Sequence, residues 1–134
     1  MPTDTSYTLT TTTELPFEEA VERVRAELTA EGFGIPAEIN VQALLREKIG
    51  ADREPYLILG ACIPQLAHQA LDAEPDLGTL LPCNVAIYQA DGQTHISAID
   101  PERMLSIVEN DQLRPVAAQV RQRLNTVVTR ATSE

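Results

Sequence analysis

"CNVAIYQADGQTHISAI", residues 83 to 99, is the stretch that decides the fold. Asp91-Gly92 stands between two alternating runs, and that dipeptide favours a two-residue type I′ turn, whose central positions both need positive φ. A two-residue loop fixes the register of the hairpin it closes. Ile87 then pairs with Ile96, and Val85 with Ala98, on one face. Tyr88 pairs with His95, and Ala86 with Ser97, on the other. The first set is apolar and marks the core side. The second is half polar and could meet water, a partner subunit or a ligand.

Working outward, "PYLILGAC" (55–62) is apolar at both phases of a two-residue period, so it reads as a central strand covered on both sides. "YTLTTTT" (7–13) alternates Leu9 with threonines and reads as a strand with one wet face. "FGIPAEIN" (33–40) also alternates, but Pro36 cannot donate to a ladder and demotes this strand to an edge.

The helices have a different period. Phe17, Val21, Val24 and Leu28 form one stripe in "LPFEEAVERVRAEL" (15–28). Pro16 suits the first turn, Glu18, Glu19 and Glu22 sit near the positive end of the dipole, and Gly32 stops the helix. "NVQALLREKIG" (40–50) offers Asn40 as N-cap, Gly50 as stop, and Val41, Leu44, Leu45 and Ile49 as an inward stripe. "PQLAHQAL" (64–71) opens a short helix at Pro64, followed by a proline-rich acidic turn. Asp100-Pro101 ends the hairpin's second strand. The last helix starts at Pro115 with Val116, Val120, Leu124, Val127 and Val128 on one side, and the tail from Arg130 reads as frayed.

This order gives a two-layer α+β fold, a mostly antiparallel sheet packed by two long helices, with short extra helices. The 134 residues suit one domain, residues 1–134, with an ordered core over about 5–128. Apolar residues make up 43% of the chain, enough for a core. No apolar run approaches the ~18 residues of a membrane span. Met1-Pro2-Thr3-Asp4 shows no basic stretch leading into an apolar one, so no secretory signal is visible and a cytoplasmic protein is the expectation.

The net charge is −10, from 20 acidic against 10 basic residues, with Lys48 the single lysine. Such a chain repels nucleic acid and anionic membranes, which bind through clustered Lys and Arg, so neither is expected as a partner. The acidity reads as a solvated surface, or as adaptation to a saline cytoplasm. With no Trp and five other aromatics, the chain lacks the residues of a base-stacking platform. No G-x-S-x-G, Walker-type or G-x-G-x-x-G motif occurs.

That leaves the two cysteines. Cys62 ends the strand before a helix, and Cys83 opens the hairpin. If those strands run antiparallel, the thiols share one rim of the sheet. If they run parallel, the thiols lie ~25 Å apart. The hairpin and the Thr-rich strand favour the antiparallel case. A thiol before a helix N-terminus can have its thiolate stabilised by unpaired N–H groups. The simpler reading is that cysteine acts as a small hydrophobe, and Cys83 follows the core phase of Val85 and Ile87. The soft ligands Cys62, His68, Cys83 and His95, spaced C-x5-H and C-x11-H, match no zinc module, so neither metal nor cofactor is expected. Both histidines read as ordinary surface or half-buried side chains. Asp100 is the best carboxylate candidate, and its simpler reading is a turn residue.

"GFGIPAEINVQALLREKIG", "PYLILGACIPQLAHQAL", "LGTLLPCNVAIY" and "AIDPERML" together resemble the bacterial and archaeal family known as domain of unknown function 302, over roughly residues 7–125. The resemblance implies a strand-helix-four-strand-helix domain, similar in outline to TATA-binding-protein-like half folds. It also implies dimers and no established activity. Its most specific part pairs G-A-C-x-P with L-L-P-C-N. Cys62 and Pro64 match the first, and Leu81, Pro82, Cys83 and Asn84 the second. Ile63 stands where the family pattern leads one to expect Asn; if that Asn shapes a polar site, the site here is more apolar and a catalytic role weakens. Two functions follow. One is a non-enzymatic homodimeric module that binds a small ligand or partner. The other is a thiol-based redox or ligand site at Cys62, Pro64, Cys83 and Asn84. The first asks for no special chemistry and is preferred.

Overall fold

The computed structural model describes residues 5–132. Met1–Asp4, on which the reading of the leader rests, and the last two residues of the tail lie outside them.

The hairpin forms as its sequence dictates. β4 (Cys83–Ala90) and β5 (Gln93–Ile99) are joined by Asp91 at φ 54° and Gly92 at φ 76°, both left-handed as a type I′ turn requires. Ile87 faces Ile96, Val85 faces Ala98, Tyr88 faces His95 and Ala86 faces Ser97. β1 (Thr8–Thr13) and β3 (Tyr56–Cys62) flank this pair, and β2 (Gly34–Asn40) lies outside β3. The five-stranded sheet has the order β1-β5-β4-β3-β2, antiparallel throughout. β2 is an edge, as Pro36 requires, and its register with β3 shifts between Gly34 and Ala37, around that proline.

α1 (Phe17–Ala30) and α5 (Arg114–Ala131) pack side by side on one face of the sheet. Pro16 sits at the N-cap of α1, one position before the expected first turn, and Gly32 turns the chain out at φ 91°. Val21, Val24 and Leu28 of α1 meet Leu124, Val127 and Val128 of α5 over Leu57, Leu59, Val85, Ile87, Ile96 and Ala98. Each fully enclosed Leu or Ile contributes about 1.5–3 kcal/mol of transfer free energy. Thr94 is the buried polar residue among them; its hydroxyl donates to the Leu15 carbonyl at 2.8 Å. The fold is therefore the two-layer α+β arrangement, β-α-β4-α with short additions.

The short additions are α2 (Val41–Ile49), α3 (Pro64–Ala73) and α4 (Pro101–Leu105). Asn40 caps α2 by accepting from the Ala43 N–H at 3.0 Å, and Gly50 closes it at φ 67°. α3, α4 and the start of α5 share a satellite core of Ala70, Leu77, Leu105, Leu113, Val116 and Ala117.

Three expectations need correction. β3 is not covered on both sides: Leu57, Leu59 and Ala61 are buried under the helices, whereas Tyr56 and Ile58 remain half-exposed. The stripe of α2 does not turn inward. None of its residues is buried, Val41 and Leu45 are half-buried, and Leu44 and Ile49 are 43% and 73% exposed. α2 leans only on β2 and β3, the strands it joins, and an edge strand offers it little to bury. The C-terminal tail does not fray at Arg130, because α5 continues to Ala131, whose methyl is fully enclosed. α4 was also absent from the sequence reading; five residues carry too little periodicity to announce a helix.

Candidate functional site

The four candidate residues lie around one rim of the sheet. β3 and β4 are antiparallel, which puts the end of β3 beside the start of β4, as the cysteine argument requires. The pairing is one residue out of step, however. Cys83 stands opposite Ala61, not opposite Cys62. The two cysteines are therefore diagonal neighbours and not a directly facing pair. The offset explains their burial: Cys83 is enclosed with the core, and Cys62 is half-exposed. No disulfide joins the two.

Cys62 and Cys83 still contribute to the wall of one cavity, together with Phe33, Leu66, Met104 and Val120. Its volume is about 40 Å³ and its lining is apolar, room for little more than one water. Pro64 and Asn84 are not part of it. Pro64 is the exposed first residue of α3, and Asn84 is exposed on the other side of the sheet, opposite Gly60. Burial pushes the Cys62 thiol up from its ordinary value. Burial, and secondarily the neighbouring Cys62 charge, pushes Cys83 up to about 11. A thiol raised in this way stays protonated at neutral pH and is a weak nucleophile. The N-terminus of α3 does not reverse that direction at Cys62.

Position 63 also has a structural account. Ile63 is the N-cap of α3, makes no side-chain cap bond, and packs on the main core. An asparagine at this N-cap position has a side chain able to accept from a helix N–H; isoleucine does not, and its side chain adds to the core instead. Asp100 is likewise structural. Its Oδ1 accepts from the Glu102 N–H at 3.0 Å and caps α4, and its Oδ2 accepts from Arg121 Nε at 3.2 Å. Among the described residues, no three His, Cys, Asp or Glu side chains converge as a metal site would need. No helix among them is long and apolar enough to cross a membrane.

The other candidate is the sheet face turned away from the helices. By alternation it presents Thr10 and Thr12 of β1, His95 and Ser97 of β5, Asn84, Ala86 and Tyr88 of β4, Tyr56 and Ile58 of β3, and Ala37 and Ile39 of β2. All are half-buried or exposed, with Ile39 at 46%. None is Asp, Glu, Lys or Arg. Across its middle, Tyr56, Tyr88 and His95 stack in a row, with ring centroids 5.0 and 4.8 Å apart and planes within 11° and 4°. Arg53 caps the row, its guanidinium carbon 5.4 Å from the Tyr56 ring centre. The rings spend their faces on one another and do not lie open as a platform for bases. Burial pushes the Tyr88 phenol up, helped by the Tyr56 and Tyr7 charges. At the far end, the Thr10 and Ser97 hydroxyls bond at 3.0 Å.

The sequence reading reached the Tyr88–His95 pair but not Tyr56. That ring joins the row only through the β3–β4 register, which no local turn fixes. The available signal was phase, since Tyr56 and Ile58 alternate with Leu57 and Leu59.

Comparison with known proteins points one way. No curated protein matches the chain. The crystal structure of an uncharacterized conserved DUF302 protein from Bacillus stearothermophilus superposes with a TM-score of 0.87 at 30% sequence identity, over 95% of this chain and 99% of that one. The family model for Domain of unknown function DUF302 matches residues 8–131, from the first strand to the last turn of α5, and the chain belongs to that family.

Proposed function

We propose that the protein is a non-enzymatic binding module whose helix-free sheet face docks a second copy of the same chain. One observation carries this reading: in a chain of net charge −10, the strand residues of one broad surface include no charged side chain, Arg53 stands at one end of it, and about half of it is apolar or aromatic. Two strongly acidic copies repel through any other pair of faces. Through this one they meet without opposed charges, and an isologous contact needs only one self-complementary patch.

The size of the patch sets the strength. Five strands spaced ~4.8 Å apart and about 20 Å long give roughly 500 Å² per copy, or about 1,000 Å² in the pair. That stands near the lower limit of about 1,000 Å² for a specific interface, so the dimer is expected to be concentration-dependent. Sedimentation over a range of concentrations tests it. A dimer that Ile58→Arg converts to a folded monomer supports the reading. A wild-type chain that stays monomeric at high micromolar concentration ends it. The thiols offer less for a redox function, since burial holds both protonated.

A further inference from the structure

The same face carries a pH control. Resting on the docking reading above, we infer that protonation of His95 separates the two copies, so that the pair forms at neutral pH and dissociates in mild acid. Histidine is the side-chain type that gains charge between about pH 8 and pH 5. His95 is the one histidine on the face; His68 is exposed on α3 beside Asp72, 3.6 Å away. His95 lies on β5, beside the edge strand β1 and close to the hairpin turn, within the face that the contact covers.

The surroundings of the ring decide what protonation does. Nε2 lies 3.2 Å from the Ala90 carbonyl, which can only accept, so Nε2 carries the proton of that bond and Nδ1 takes the next one. From β4, Tyr88 stacks on the ring, with Tyr56 of β3 beyond it; Tyr88, pushed up, stays neutral in this range. From β1, the residue opposite is Thr12, a hydroxyl. Asp91 sits at the exposed turn after Ala90, and among the described residues no ion pair joins it to His95. The nearest cation on the face is Arg53, at the other end of the row. No carboxylate therefore waits to neutralise an imidazolium. In the separate chain, water and the Tyr88 ring accommodate the charge. In the pair the contact would take the charge out of water with no carboxylate among the strand residues of the face to pair with it, which disfavours association.

The sign is diagnostic. As pH falls towards the isoelectric point near 4.5, net charge shrinks, and general repulsion predicts tighter pairing. Protonation of His95 predicts weaker pairing. Association releases up to about two protons per pair, one from each copy.

The test is sedimentation of the full chain at about pH 8 and about pH 5.5, with His68→Gln as a control and His95→Gln as the probe. The expected result is a dissociation constant at least ~10-fold higher in acid for wild type and for His68→Gln, and little changed for His95→Gln. A dimer at pH 8 that holds equally well in acid overturns the inference while leaving the docking reading in place. A monomer at pH 8 overturns both. If His95→Gln does not fold, the proton NMR titration of His95 in His68→Gln serves instead. Its midpoint should fall as protein concentration rises, and a midpoint independent of concentration overturns the inference.

Discussion

Leu59 and Ile58 are adjacent on β3 and chemically alike, yet Leu59 is wholly enclosed and Ile58 half-exposed. The two sides of the sheet differ in the same way throughout. One lies under α1 and α5, whose outer surfaces carry Glu18, Glu19 and Glu22 of α1 and Arg114 of α5 into solvent. The other is not covered by a long helix; Pro82 covers it only at Gly60, and its strand residues carry no charge. A doubly apolar strand states that both sides want covering but not what supplies the cover. The placement of charge states more. Where the long helices meet solvent, this acidic chain puts carboxylates; the strand residues of the open side carry none.

Leu59→Ala should break the enclosed side, at a cost of about 3 kcal/mol in urea unfolding. Ile58→Ala, measured in dilute protein, should cost less than about 1 kcal/mol while weakening self-association. Equal losses at the two positions would erase the distinction between the sides. Gly60→Ala probes the one place where the open side is tightly filled. A Cβ there would lie 2.6 Å from Pro82 Cγ and 3.2 Å from the Ala37 Cβ, and a ring on a strand end has little room to yield. We expect a loss of about 2 kcal/mol, read as a lower midpoint with unchanged slope.

Cys83 sharpens the comparison through pH. Its folded pKa of about 11 lies above the ordinary 9.0, so the folded chain holds a proton that the unfolded chain releases. Stability is then full below about pH 9 and declines as pH rises towards 11, by on the order of 2 kcal/mol in all. Cys83→Ala should flatten that decline. A thiol reagent at pH 8 should modify Cys62 slowly and Cys83 only on unfolding; equal rates would contradict their different burial. Smallest is Asn40→Ala, at the edge of both sides. Loss of the bond to the Ala43 N–H should cost about 1 kcal/mol and leave the oligomeric state unchanged.

Local chemistry made much of this legible. Asp91-Gly92 announces its turn and thereby four cross-strand pairs, Pro36 announces an edge, and Asn40 and Gly50 bound α2. What stayed hidden depends on distant residues. The β3–β4 pairing is antiparallel as reasoned, but its offset of one residue has no nearby turn to set it, so the placement of Cys62 relative to Cys83 was beyond reach. The stripe of α2 was read as inward because apolar spacing says nothing of whether a surface exists to receive it. At the candidate site, Cys62 and Cys83 line one small cavity, while Pro64 is a helix opener and Asn84 is exposed outside that cavity.

That offset of one residue reaches into how the chain meets oxidants. Two thiols on neighbouring strands would normally be a latent cross-link, liable to lock or distort a sheet whenever surroundings turn oxidising. Here they are offset by one position along the ladder, so neither thiol stands directly opposite the other, and Cys62 is the more exposed of the two. Ala61→Cys would set a thiol directly opposite Cys83, and with it the hazard.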